Sequence, residues 1–332
     1  MILIIVSALR KANKSIGPVR RLLIASLLLT ACGADSQPDD RNLDDDRILV
    51  VATTSILGDI ASNVVGDEAR VEVLIPIGVD SHDFQPSSQQ ASLVAEADLV
   101  VANGLGLEQG LEEILASRLD DGGPVIELAP LVDPIPFSAH EDEAGHEDEA
   151  EPKHGSDDPH FWMDPIRVGA AAVALATGLT EQHPGGSWGE RAGEYRVVMD
   201  AIDETIRDTL ASVPVESRSM VTNHEAFGYF AERYGFEIVG VVIPGGSTLA
   251  EPSSAELAEL VAEMMEHGTR VIFAETTRPT TLAEAVASEL GADVEVVELY
   301  TESLGPEGSR AETLSSLLES NASAIASALG RE

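Results

Sequence analysis

Three histidines stand in short polar stretches beside apolar runs: His82 in "GVDSHDFQP", His160 in "DPHFWMDP" and His224 in "TNHEAFGYF". A carboxylate, Glu302 in "YTESLG", holds the same kind of position near the carboxyl end of the chain. Neutral imidazole nitrogens and a carboxylate oxygen together suit a borderline divalent cation in a tetrahedral site. Taken singly, a histidine at a strand end is more often a polar or capping residue than a ligand. It is the set that points to a metal. Thiolate ligands are excluded beyond residue 32, because Cys32 is the only cysteine.

The elements that must bring these residues together follow from pattern. "ILVVATTSI" (48–56), "VEVLIP" (71–76), "DLVVANG" (98–104) and "VIEL" (125–128) are short, continuous and β-branched. They read as strands of a parallel sheet buried on both faces, with helical spacing between them. A second set repeats the alternation: "SMVTN" (219–223), "EIVGVVIP" (237–244), "RVIFAE" (270–275) and "VEVVELY" (294–300). The expected fold is α/β, with two Rossmann-like parallel-sheet lobes covering 47–186 and 214–332. Between them, Ser187 and Glu190 form an S-x-x-E capping signal. Trp188, Ala192, Tyr195, Val198, Met199, Ile202, Ile206, Leu210 and Val213 then recur at helical intervals. One rigid helix over 187–213, ~39 Å long at 1.5 Å per residue, is expected to fix the separation of the lobes. In such sheets ligands bind beyond the carboxyl ends of the strands. His82 and His160 then come from one lobe, His224 and Glu302 from the other, and the cleft between the lobes is where all four meet.

The chain has 332 residues and a formal charge of −38. A polyanion with 4% aromatic residues is a poor partner for nucleic acid, which is excluded. Residues 1–31 hold five basic residues and no acids, and end in the apolar run "LLIASLLLTA", too short to span a membrane. They read as a signal peptide, preceded by an unusual first apolar run, "MILIIV". Cys32 closes an "LTAC" that resembles the lipobox of bacterial lipoproteins, so it is the expected site of lipidation. Residues 32–46 are then an acidic tether, and the body is held on the outer face of the cytoplasmic membrane.

The remaining histidines sort differently. "HEDEA" occurs at 140–144 and again at 146–150, and residues 140–158 hold nine carboxylates. With no apolar anchor, the loop 137–158 is expected to be disordered. Its His140, His146 and His154 are either weak accessory zinc ligands or part of a plain solvated insert. Ordering such a loop costs ~1–2 kcal/mol per residue, so any site there is weaker than the cleft. His183 in a turn and His267 at a helix end read as structural surface residues.

Four segments in this order resemble the substrate-binding lipoproteins of zinc and manganese importers of the ATP-binding-cassette type. The family's loops have the form G-x-D-P-H-x-Y-E-P, D-P-H-x-W-L-D-P, T-x-H-x-A-F-x-Y and Y-T-D-S-L, and the resemblance runs from about Ile48 to the final helix. It implies His82, His160 and His224 as imidazole ligands and Glu302 as the carboxylate ligand. It also implies an ABC permease and its ATPase as partners, and a monomeric, non-enzymatic carrier. Ser81 stands where proline is usual, Phe84 and Gln85 where tyrosine and glutamate are, and Glu302 where aspartate is. The extra methylene carries the carboxylate outward by roughly 1.5 Å unless the backbone retreats. The site then binds one carboxylate oxygen or takes water in its place.

Manganese members of the family resemble this chain but carry glutamate at the third position, so His224 points to zinc as the bound ion. The alternatives are a manganese- or iron-binding member, a surface adhesin and, more remotely, a zinc hydrolase with Glu225 or Glu275 as general base. Glu275 follows a strand near the cleft, and its simpler role is to orient a ligand histidine.

Overall fold

A computed structural model describes residues 47–137, 157–245, 247–291 and 293–330, and from Arg47 onward these belong to one compact unit. Cys32, the signal and tether segments, and His140, His146 and His154 lie outside the described residues.

Two four-stranded parallel sheets carry the fold. The first holds β1 (Ile48–Ala52), β2 (Ala69–Val73), β3 (Leu99–Ala102) and β4 (Val125–Glu127) in the order β2-β1-β3-β4. The second holds β5 (Ser219–Thr222), β6 (Glu237–Val241), β7 (Val271–Glu275) and β8 (Glu295–Leu299) in the order β6-β5-β7-β8. The same winding is thus used twice. Burial on both faces holds for the inner strands β1, β3, β5 and β7 but not for β2, β4, β6 and β8. Those four are the edge strands, which helices cover on fewer sides.

The helices are α1 (Ser55–Val65), α2 (Ser88–Glu96), α3 (Glu112–Asp120), α4 (Pro165–Gln182), α5 (Trp188–Leu210), α6 (Gly228–Tyr234), α7 (Ser254–His267), α8 (Thr281–Leu290) and α9 (Leu314–Leu329). β1 ends four residues earlier than its apolar run suggests. Thr54 already caps α1, its hydroxyl oxygen accepting the Leu57 N–H at 3.2 Å. Among the described residues no helix is long and apolar enough to cross a membrane.

The connecting helix α5 has 23 residues, about 35 Å at 1.5 Å per residue. Its start differs from expectation. Ser187 makes no side-chain cap, because its backbone (φ −82°, ψ 28°) is not extended and does not aim the hydroxyl at the first turn. The Ser187 N–H donates instead to the Glu68 carboxylate at 3.1 Å. Val198, expected in the buried stripe, faces solvent. Asp203 is buried on the same helix and accepts from Arg233, from Arg207 and from the Tyr234 hydroxyl at 2.7–3.1 Å. Burial would raise the Asp203 carboxyl, but these arginines hold it below the usual carboxylate range. Arg233 also lies 3.1 Å from Asp164, the N-cap of α4, so one charged network ties α4, α5 and α6.

One apolar cluster runs from β1 and α1 through Phe161, α4 and α5 to Phe230, Phe273 and α9. Each sheet has a smaller cluster on its outer face. The lobes are therefore not two cores hung on a rod, because α5 is embedded in a core they share. That shared core gives the cleft a fixed floor.

Candidate metal centre

Each candidate donor sits just past a strand or at a helix start, where the backbone is free to turn its side chain into the cleft. His82 lies in the loop after β2. Asp80, two residues earlier, accepts its backbone N–H at 2.9 Å. His160 precedes α4 and repeats the device, with Asp158 accepting its backbone N–H at 2.9 Å. Asp158 also lies 2.7 Å from the His160 Nδ1. His224 follows β5, and its Nδ1 pairs with the carboxylate of Glu275 at the end of the neighbouring strand β7. Glu302 follows β8.

The four side chains converge. The Nε2 of His160 lies 3.4 Å from that of His82 and 3.2 Å from that of His224. Glu302 Oε1 is 3.3 Å from the His160 Nε2 and 3.4 Å from the His224 Nε2. One donor atom from each of His82, His160, His224 and Glu302 lies within 4.8 Å of all the others. None of the four residues is more than 2% exposed. Two buried polar atoms here, His82 Nδ1 and Glu302 Oε1, have no hydrogen-bond partner. Glu302 Oε1 has before it only the His160 and His224 nitrogens, the atoms that would share a cation with it.

Charges in the pocket are arranged accordingly. Burial pushes the His82 imidazole down to about 4, only partly opposed by Glu302. Burial would also depress His160, but the Asp158 and Glu302 carboxylates reverse this and lift it to about 9. His224 is likewise raised well above its ordinary value, because Glu275 and then Glu302 outweigh burial. Burial would raise Glu302, yet the surrounding imidazoles hold it well below the usual range. The pocket thus offers one fixed negative charge and three nitrogens, two of which give up a proton before they can donate to a metal.

Contacts between the lobes close over the site. Asp80 Oδ2 accepts from the Thr248 hydroxyl at 2.7 Å and from Arg278 Nε at 2.5 Å. Arg278 donates again to Thr248 at 2.8 Å. Trp162 Nε1 donates to the Thr301 carbonyl at 2.9 Å, and Gly78 N–H to the Ser303 hydroxyl at 2.8 Å. The candidate donors are buried beneath these contacts. Arg278→Ala removes the charged half of the latch while leaving every candidate donor in place. It is expected to raise the metal dissociation rate about tenfold, corresponding to ~1.4 kcal/mol. Stopped-flow chelator chase measures it, and an unchanged rate would show that the latch does not gate release.

Of the other sequence candidates, Glu225 is partly exposed, and Glu275 is engaged with His224. His183 forms the C-cap of α4, and His267 ends α7 before a left-handed Gly268. Sequence reasoning did not single out Asp80 or Asp158, and it marked Ser81 only as standing where proline is usual. The repeated D-x-H spacing was the available signal for the two aspartates.

Known proteins resemble this chain over most of its length. The family described as "Zinc-uptake complex component A periplasmic" matches residues 50–328. A manganese-binding lipoprotein of Halalkalibacterium halodurans is 28% identical over 312 residues, covering 93% of this chain and 97% of that protein. The high-affinity zinc uptake system protein of Bacillus subtilis is 30% identical over 273 residues, covering 82% and 84%. Among solved structures, the periplasmic zinc binding protein of Treponema pallidum superposes with a TM-score of 0.74 at 27% identity, covering 86% of this chain and all of that one.

Proposed function

Since the chain belongs to the family of zinc-uptake complex component A periplasmic proteins, which are solute-binding proteins of metal transport and not enzymes, we propose that its cargo is zinc. In this reading the ion is held by His82, His160, His224 and Glu302. The chain is a metal-binding, substrate-binding protein of ABC-type metal uptake, working outside the cytoplasm with a permease and an ATPase. The observation that carries the finer reading is the donor set: four buried atoms within 4.8 Å of one another, three of them imidazole nitrogens. Nitrogen-rich, four-donor sites suit zinc, whereas manganese prefers more donors and more oxygen. Capture needs no open coordination position and no base. It needs ligands split between two lobes, so that parting the lobes dismantles the site.

Manganese is the competing cargo, favoured by the manganese-binding name of the Halalkalibacterium relative. Competition calorimetry separates the two. One tight zinc equivalent, with manganese at least about a hundredfold weaker, is expected for a site of three imidazoles. Tighter binding of manganese would overturn the zinc reading while leaving the ligand set intact.

We also propose that the protein is anchored through a lipid on Cys32. The supporting observation is the "LTAC" ending of the apolar run, together with the lipoprotein names of relatives. Cys32→Ser is expected to move the protein from the membrane fraction to the soluble exported fraction. Retention in the membrane fraction would refute the anchor.

A further inference from the structure

The two oxygens of Glu302 have different surroundings. Oε2 accepts a short hydrogen bond from the hydroxyl of Ser81. Oε1 has no hydrogen-bond partner and faces the Nε2 atoms of His160 and His224 at 3.3 and 3.4 Å. Oε2 also lies farther from the imidazoles, 3.9 Å from the His82 Nε2. Ser81 and Glu302 are 1% and 2% exposed, so water does not compete for this bond. Ser81 belongs to the loop after β2 and Glu302 to the loop after β8, so the bond also crosses between the lobes.

We propose that Ser81 is a positioning residue that confines Glu302 to a single donor oxygen, and that this biases the site toward four-coordinate ions such as zinc and against ions that take more oxygen donors, such as manganese. The inference rests on the ligand set proposed above and deepens it. A carboxylate binds a cation through one oxygen or both, and the second adds a coordination position that harder ions use. Here chelation by both oxygens requires Oε2 to abandon Ser81, leaving a buried hydroxyl unpaired, which is unfavourable. The longer glutamate side chain makes the restraint effective. Its Oε2 is held by a hydroxyl of the opposite lobe. Carboxylates around a metal are commonly oriented by such outer partners, and removing one typically changes affinity 10–100-fold.

The test compares Ser81→Ala, Glu302→Asp and the double variant with the unsubstituted protein. Zinc and manganese affinities are measured for each, together with the visible absorption of the cobalt(II) form, whose bands are intense in four-coordinate sites and weak at higher coordination. Ser81→Ala is expected to shift the zinc-over-manganese preference by roughly tenfold or more toward manganese and to weaken the cobalt bands. In the Glu302→Asp background Ser81→Ala should add nothing to that shift, because the shorter side chain leaves the hydroxyl out of reach. Equal loss for both ions with an unchanged cobalt spectrum would reduce Ser81 to a contact that merely closes the lobes, and so overturn the proposal. Failure of the unsubstituted protein to bind either ion in stoichiometric amount would instead overturn the ligand set on which it rests.

Discussion

Replacing His160 with alanine should abolish tight metal binding, weakening it by about 10²–10³-fold. The magnitude follows from sharing. Structural zinc sites with four protein ligands are worth ~10–16 kcal/mol, or ~2.5–4 kcal/mol per ligand, and each 1.4 kcal/mol is tenfold. His160 should cost at least its share, because its Nε2 is the one donor within 3.4 Å of a donor atom from each of the other three residues. Its ring is also preset, with Asp158 holding Nδ1 at 2.7 Å, so no ordering cost is spent on binding. His82 is more peripheral. Its nearest donor contact is that single 3.4 Å approach to His160, and its Nδ1 has no hydrogen-bond partner. His82→Ala should therefore weaken binding less than His160→Ala, with water taking the vacated position. Calorimetry on both variants measures the order, and circular dichroism of the metal-free proteins confirms that each is folded. A tight equivalent that survives His160→Ala would refute the assignment of the site.

Much of this arrangement was legible in the residues, and the parts that were not share a physical cause. Strand runs, the doubled α/β order and the long helix are local patterns of hydrophobic period, and a sequence displays them directly. His82, His160, His224 and Glu302 were visible because ligands in such folds lie beyond strand ends, which narrows the search to a few loops. Contacts between distant segments have no such period. Asp203 reads as a solvated residue of an amphipathic helix until Arg233 and Tyr234 of another helix are seen around it. Ser187 carries the letters of a capping box but not the backbone geometry. Ser81 and Glu302 each stood out as a departure from the usual loop pattern, yet 221 residues separate them and nothing local shows that they touch. Even the D-x-H spacing, present twice, does not reveal that Asp158 binds a ring nitrogen while Asp80 binds Thr248 and Arg278 of the other lobe.

Acidification should weaken metal binding steeply, by about 10²-fold or more between pH 8 and pH 6. A metal and a proton compete for the same Nε2 lone pair, so each proton that must leave lowers apparent affinity about tenfold for every pH unit below its pKa. His160, lifted to about 9 by Asp158 and Glu302 against the effect of burial, still carries its proton at neutral pH in the metal-free protein and gives a slope of one. His224 is raised well above its ordinary value by Glu275 and Glu302, again against burial, and adds toward a second proton. His82 works the other way. Burial drives it down to about 4, so its ring is already neutral and contributes nothing across this range. Glu302, held well below the usual carboxylate range, stays charged throughout. The net sign is therefore loss of affinity as pH falls, with one to two protons released per ion bound. Calorimetry in buffers of different ionisation enthalpy counts those protons, and competition titrations give the slope. An affinity that stays flat from pH 8 to pH 6 would mean that His160 and His224 are not the nitrogens that hold the ion. A falling affinity would make local acidity, together with the parting of the lobes, a second way for the carrier to release its cargo.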